Sequence, residues 1–326
     1  MPINIGYLGP QGTFTEEAMD MWIESQKHDT INKHNRIEYS SIPKLVNALA
    51  AGELDEAVVP VENSLEGSVN VTVDMLIHEV NVMIKGELVL PIRQCLLAKE
   101  NIPLRNIEEV FSHPQALYQS IGFINDRLPQ AKTRETLSTA EAARIVSERG
   151  ERTAAIGSRR LAGIYGLNIL AEDIQGNKNN MTRFYVLSSN DAARTGRDKT
   201  AVVFSTENRP GSLFNSLGVF ASRNLNLTKI ESRPSKKMLG EYVFFIEVEG
   251  HREDGVLKQA LETLKQHAGF IKMLGSYPVF RDDVLFGKGN GKRDSVLLQK
   301  RKEAFEKLVY GPVRKAYPPA GGEESV

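Results

Sequence analysis

The sequence predicts an α/β protein: a two-lobed first region, then a smaller ferredoxin-like βαββαβ unit. Up to about residue 190, short apolar strands alternate with amphipathic helices, a pattern that builds mostly parallel sheets with helices on both faces. These units are too many for one sheet, and a long run separates Val69 from Glu87. The chain is therefore expected to cross to a second lobe near 79–87 and to return near 165–172. Beyond a polar stretch at 189–199 the order becomes strand, helix, strand, strand, helix, strand.

"INIGYLG" reads as the first strand, and a helix opens at Thr13 to Thr15 with Glu16 and Glu17 in its first turn. "IEYSSI" is a strand, "IPKLVNALAAG" a helix ending at Gly52, and "LDEAVVPVE" a strand, with a helix beginning near Ser68. "GELVLPIRQCLLA" and "EEVFSH" are strands. From Pro114 to about Leu128 a helix is expected, because Leu117, Ile121, Ile124 and Leu128 share one face. In "STAEAARIVSERG", Ser138 and Glu141 fit a capping box and Gly150 stops the helix. "TAAIGS" and "LNILAEDI" supply strands, and "GNKNNMTRFYVLSS" runs from a polar loop into another.

Behind the linker, "TAVVFSTE" is a strand and "RPGSLFNSLGVFASR" a helix with Pro210 in its first turn. "LNLTKIESRP" and "GEYVFFIEVEG" are strands, "REDGVLKQALETLKQH" a helix and "GFIKMLGSYPV" a strand. Domain boundaries follow at 1–188, 189–199 (linker), 200–281 and 282–326. In the last segment "SVLLQKRKEAFEKLVYG" is expected to form an amphipathic helix and "PPAGGEESV" to be disordered.

Lys plus Arg and Asp plus Glu both number 41 in 326 residues. That balance argues against a nucleic-acid protein, although a neutral whole can hold a basic pocket. The N-terminus lacks the pattern of a signal peptide, and no apolar run approaches the roughly 20 residues needed to span a bilayer. Cys95 is single, so the reading is a soluble cytoplasmic protein without an intrachain disulfide. The histidines at 28, 34, 78, 113, 251 and 267 show no metal-ligand spacing, and no metal site is expected. Dinucleotide, Walker and Gly-x-Ser-x-Gly signatures do not occur, which disfavours a nicotinamide or ATP enzyme.

Four stretches could carry chemistry. "GPQGTFTEEA" either holds an anion at a helix N-terminus or is a tight turn with Thr13 or Thr15 as N-cap. "VVPVENSLEGSV" puts Glu62, Asn63 and Ser64 at a strand's exit, where open α/β sheets bind ligands. There Glu62 could act as acid, base or hydrogen-bond acceptor. "FSHPQALYQS" repeats the arrangement, with Ser112 able to cap a helix and Gln115 and Gln119 on one polar face; His113 lacks a placed partner. In "MTRF", Thr182 and Phe184 are good strand residues, while Arg183 suits a carboxylate. Alternation puts Arg183 on the opposite face from the other two. Either the strand is irregular there or Arg183 supports from behind.

Taken in order, "GPQGTFTEEA", "VPVENSLEGSV", "SHPQALYQ", "STAEAA" and "NMTRF" resemble prephenate dehydratases. The unit at 200–280 resembles their ACT regulatory domain, with "RPGSLFNSL" and "ESRP" as signatures. The resemblance implies a catalytic region like a periplasmic-binding-protein fold, with the active site in its cleft. The implied reaction is decarboxylative dehydration of prephenate to phenylpyruvate in phenylalanine biosynthesis, without metal or redox cofactor. It implies Thr182 as donor to the leaving hydroxyl, with Asn63, Ser64, Ser112, Gln119 and Thr13 holding carboxylates and carbonyl. Glu62, Arg183 and Phe184 complete the expected site.

In the ACT unit the resemblance implies phenylalanine at a subunit interface, and so a homodimer or homotetramer. The implied effector residues are Gly211, Ser212, Leu213, Glu231, Ser232, Arg233 and Pro234. Ser212 departs from the family's usual alanine. A chorismate mutase domain has no room here, so a monofunctional enzyme is expected. Two alternatives stay open, an arogenate dehydratase and a non-catalytic amino-acid sensor.

Overall fold

A computed structural model describes residues 2–26 and 33–280. The expected C-terminal extension and His28 lie outside the described residues. The first lobe holds β1 (Ile3–Leu8), α1 (Phe14–Ser25), β2 (His34–Tyr39), α2 (Ile42–Ala50), β3 (Glu56–Asn63), β4 (Gly67–Ser68), α3 (Asn70–His78) and β5 (Met83–Pro91). The second holds β6 (Cys95–Ala98), β7 (Glu109–Ser112), α4 (Pro114–Gln119), α5 (Ile121–Arg127), β8 (Lys132–Glu135), α6 (Thr139–Arg149), β9 (Thr153–Gly157), α7 (Arg159–Tyr165) and β10 (Asn168–Ala171). β11 (Met181–Ser188) returns to the first lobe. The last unit is β12 (Asp198–Ser205), α8 (Ser212–Ala221), β13 (Leu227–Pro234), β14 (Tyr242–Glu249), α9 (Gly255–His267) and β15 (Phe270–Pro278).

The three sheets run β2-β1-β3-β11-β5, β10-β6-β9-β7-β8 and β13-β14-β12-β15. The third is fully antiparallel and has the ferredoxin-like order. The first two are mixed rather than mostly parallel. β1, β2 and β3 are parallel, but β11 is antiparallel to β3 and β5. The strand that returns from the other lobe runs against its neighbours, and alternation in sequence does not reveal that.

The crossings also fall later than expected. The chain leaves the first sheet after Pro91 and returns at Met181. β5 stays in the first sheet, paired with β11 from Met83 to Pro91, and the ferredoxin-like unit covers it. A Cβ on Gly275 of β15 would lie 2.5 Å from the Ile84 carbonyl oxygen of β5, so the two backbones meet without a side chain between them. The crossings are tied together by Ile92 N–H to Asn180 O (2.8 Å), Ile174 N–H to Gln94 O (3.0 Å) and an Arg93–Asp173 ion pair (2.9 Å).

The expected helix from Pro114 to Leu128 is broken at Ser120. Gly176 N–H takes the Gln119 carbonyl at 2.8 Å, and Ser120 leaves helical geometry (φ −106°, ψ 8°). Leu117, Ile124 and Leu128 are buried, while Ile121 is turned out. α8 begins at Ser212, with Gly211 as N-cap at φ 82°, so Pro210 lies outside the helix. α3 begins at Asn70 without a side-chain cap, and Ser68 belongs instead to the short β4 pairing with Glu62.

One apolar core joins α2, α3, the first sheet and the last sheet through Leu45, Leu76, Val59, Tyr185, Val203, Phe245 and Leu274. Each such large side chain contributes roughly 1.5–3 kcal/mol on burial. The ferredoxin-like unit is thus packed on the first lobe by the same force that builds the lobe.

Candidate active site

β3 leaves its regular register against β11. Arg183 lies opposite Glu62, but Phe184 lies opposite Pro60, so Val61 is an extra residue. Strict alternation from Pro60 would send Glu62 toward the cleft and Asn63 away. A bulge reverses that order beyond it. Pro60 and Asn63 both line the cleft, Val61 is fully buried in the core, and Glu62 lies behind the sheet. On β11 alternation holds: Thr182 and Phe184 line the cleft and Arg183 points away.

The cavity between the lobes is about 310 Å³, and none of its lining residues is Lys, Arg, Asp or Glu. Asn63 Nδ2 donates to Thr182 Oγ1 (2.9 Å) and to Asn180 Oδ1 (2.9 Å). Asn180 Nδ2 donates to Gln119 Oε1 (3.1 Å), which carries the network into the second lobe. Leu65 N–H holds Asn63 Oδ1 at 2.9 Å, fixing the amide's orientation. Since Thr182 Oγ1 already accepts a bond, its own proton is free to face the cavity.

Two long helices start at this cavity. Thr13 caps α1, accepting from Glu16 N–H (3.4 Å), and Ser138 caps α6, accepting from Glu141 N–H (3.0 Å). Thr13, Phe14, Thr15, Ser138 and Thr139 all line the cleft. Their first-turn N–H groups and the positive ends of the dipoles favour anions in a site without cationic side chains.

Behind the sheet Arg183 is surrounded by acids. Its guanidinium donates to Glu247 (2.7 Å), Glu62 (2.8 Å) and Glu87 (3.4 Å) and lies 5.4 Å from the Tyr185 ring centroid. Burial by itself would raise the Glu247 carboxyl, yet Arg183 and Lys199 hold it down to about 2. Lys229 of β13 reaches Glu62 at 3.2 Å, and Glu231 accepts from Ser68 at 2.6 Å. Arg233 pairs with Asp74 at 2.6 Å. The last unit therefore grips the segment carrying Glu62 and Asn63.

The expected residues fall into distinct places. Thr13, Asn63, Gln119, Thr182 and Phe184 come together on the cleft. Glu62 and Arg183 do not, for the reasons just given. Ser112 is turned away: it is fully buried and donates to Ile156 O at 2.6 Å, and His113 caps α4 in its stead. Ser64 braces the loop, donating to Asn179 O at 3.2 Å and accepting from Met181 N–H at 3.0 Å. Gln94 lines the cleft and Asn180 supports it, bridging Asn63 and Gln119; Asn180 lies within "NMTRF", but its reach across the lobes depends on the fold and has no signal in the sequence. Among the described residues no group of three or more His, Cys, Asp or Glu could hold a metal ion, and no helix is long and apolar enough to cross a membrane.

A second cavity, about 720 Å³, is lined by Ser212 and Leu213 together with His78, Tyr242 and Lys272. Gly211 caps the helix at its side. Glu231 and Arg233 face the first lobe instead, while Ser232 and Pro234 are exposed on the opposite face of β13.

The chain matches the prephenate dehydratase family profile over residues 5–192 and that of the ACT domain over 200–266. The bifunctional chorismate mutase/prephenate dehydratase of Aquifex aeolicus is 42% identical over 85% of this chain and 74% of its own. The prephenate dehydratase of Methanocaldococcus jannaschii is 40% identical, over 84% of this chain and 97% of its own. Among solved structures, prephenate dehydratase from Arthrobacter aurescens in complex with L-Phe has a TM-score of 0.74 and 33% identity, covering 94% of this chain and 100% of that one.

Proposed function

The chain belongs to the prephenate dehydratase family, and from that premise we propose how its cleft converts prephenate to phenylpyruvate. The enzyme is a lyase of phenylalanine biosynthesis. The observation that carries the site assignment is the Thr182–Asn63 pair, which leaves one hydroxyl proton free in a cavity between two lobes.

Prephenate is a dianion, and the cleft offers helix N-termini rather than cationic side chains. We assign its carboxylates to the first turns of α1 and α6. The Thr182 hydroxyl donates to the ring hydroxyl that leaves. As that C–O bond breaks, the bond from the ring to its carboxylate breaks too, and its electron pair enters the ring. Carbon dioxide departs, the ring becomes aromatic, and the departing hydroxide takes one proton from solvent to become water. A threonine hydroxyl is too weak an acid to give up its proton fully, so its part is polarisation.

Thr182→Ala should lower kcat by ~10²–10⁴ with the melting temperature little changed. Turnover within about threefold of the parent would remove Thr182 from the chemistry.

For regulation, the ACT domain and the L-Phe complex of the Arthrobacter relative support phenylalanine as effector. We place it beside Gly211, Ser212 and Leu213, in the larger cavity. The exposed Ile230, Ser232 and Pro234 on β13 support an interface with a second copy, and so a homo-oligomer. A cytoplasmic location remains the expectation for such an enzyme.

A further inference from the structure

We propose that Gln94 contacts the substrate and reads the group on the α-carbon of its side chain, an oxo group in prephenate and an ammonium in the amino analogue arogenate. This rests on the dehydratase reading of the cleft.

Gln94 sits on the outward crossing between the lobes, 3% exposed, and lines the cavity. Its backbone is held from both sides: its N–H donates to Gln175 Oε1 at 2.8 Å, and its carbonyl accepts from Ile174 N–H at 3.0 Å. Its side-chain Oε1 is buried without a partner. A buried polar atom left unpaired costs roughly 1–3 kcal/mol, so a buried amide facing a cavity is best accounted for by a ligand that completes it.

The other polar side chains of the cleft are largely engaged. Thr13 donates to Leu8 O at 2.9 Å, and Asn63 uses both ends of its amide. Ser138 accepts from Glu141 N–H, His113 Nδ1 from Gln115 N–H, and Gln119 Oε1 from Asn180. Thr182 is committed to the leaving hydroxyl and the helix N-termini to the carboxylates. The α-carbon group is the remaining polar feature of the substrate, and among the residues lining the cleft Gln94 is the one whose side chain holds a buried polar atom without a partner.

An amide turned one way donates to a ketone oxygen, and turned the other way accepts from an ammonium. Glutamine is therefore neutral between the two substrates in charge. A carboxylate at the same position would repel a dianion and cannot donate to a ketone, but it would suit an ammonium.

The test is steady-state kinetics of the full chain with both substrates, using Ki for arogenate where it is not turned over. Gln94→Glu should lower kcat/KM for prephenate roughly ten- to hundredfold while arogenate holds within about threefold. Gln94→Met, which keeps the volume and removes the polar end, should raise KM for prephenate about tenfold with an unchanged melting temperature. That variant decides the matter if the glutamate does not fold.

The Gln175 Nε2 is also unpaired, so the rival account is an amide pair that serves only the crossing. That account predicts an equal loss for both substrates in Gln94→Glu, or a lowered melting point with KM unchanged in Gln94→Met. Either result overturns the proposal while leaving the dehydratase reading intact. A parent enzyme inert toward both substrates would overturn both.

Discussion

At the scale of residues, the side chain that faces the cleft is decided by one inserted position. Val61 interrupts the alternation of β3, so Asn63 reaches the cleft and Glu62 pairs with Arg183 and Lys229 behind it. Glu62→Gln should then weaken ion pairs without removing a cleft group. Its kcat should fall less than tenfold and its KM hold, against the ~10²–10⁴ loss expected for Thr182→Ala. Equal losses in the two variants, read by phenylpyruvate formation, would put Glu62 back into the chemistry. The residue types were legible in the sequence: "ENS" and "TRF" each supply residues that line the cleft. The bulge was not, because pairing register is a property of two strands far apart in the chain. For Arg183 the sequence posed both answers, and the structure selects support from behind.

At the scale of elements, strands and helices were legible wherever caps and periodicity agreed, as in α6 with Ser138, Glu141 and Gly150. They failed where a tertiary partner intervened. Gly176 draws away the Gln119 carbonyl and splits one expected helix, and the positive φ of Gly211 delays the start of α8. The late crossing has the same origin, since β5 pairs with β11 along its length and β15 lies on it. Gly275 is the contact that permits this. Its φ is 124° and a Cβ there would lie within 2.8 Å of both the Ile84 nitrogen and oxygen. Gly275→Ala should cost about 2–4 kcal/mol, combining a strained backbone with overpacking. Thermal melts check this, and an unchanged melting temperature would show that the two strands are not packed so closely.

At the scale of the whole molecule, the ferredoxin-like unit is fused to the first lobe by an apolar core and by the buried charges around Arg183. Lys272 adds a third tie, donating to the Leu76 and Val80 carbonyls at 2.7 Å at the end of α3. Acid should test the charged part. The Glu247 carboxyl has its folded value lowered from 4.5 to about 2. Its contribution is therefore complete above the unfolded value and is lost as pH falls through the folded one. Melting temperature should drop between pH 4.5 and 2, and Glu247→Gln should flatten that limb; an identical limb in the variant would exclude the cluster as its source. The same ties offer a route from the larger cavity to the segment bearing Asn63, which the sequence showed only as two separate signatures. The most direct measurement of the account is phenylpyruvate formation from prephenate by the full chain, titrated with phenylalanine. Turnover that phenylalanine suppresses is the predicted result, and failure to form phenylpyruvate at any phenylalanine concentration would contradict it.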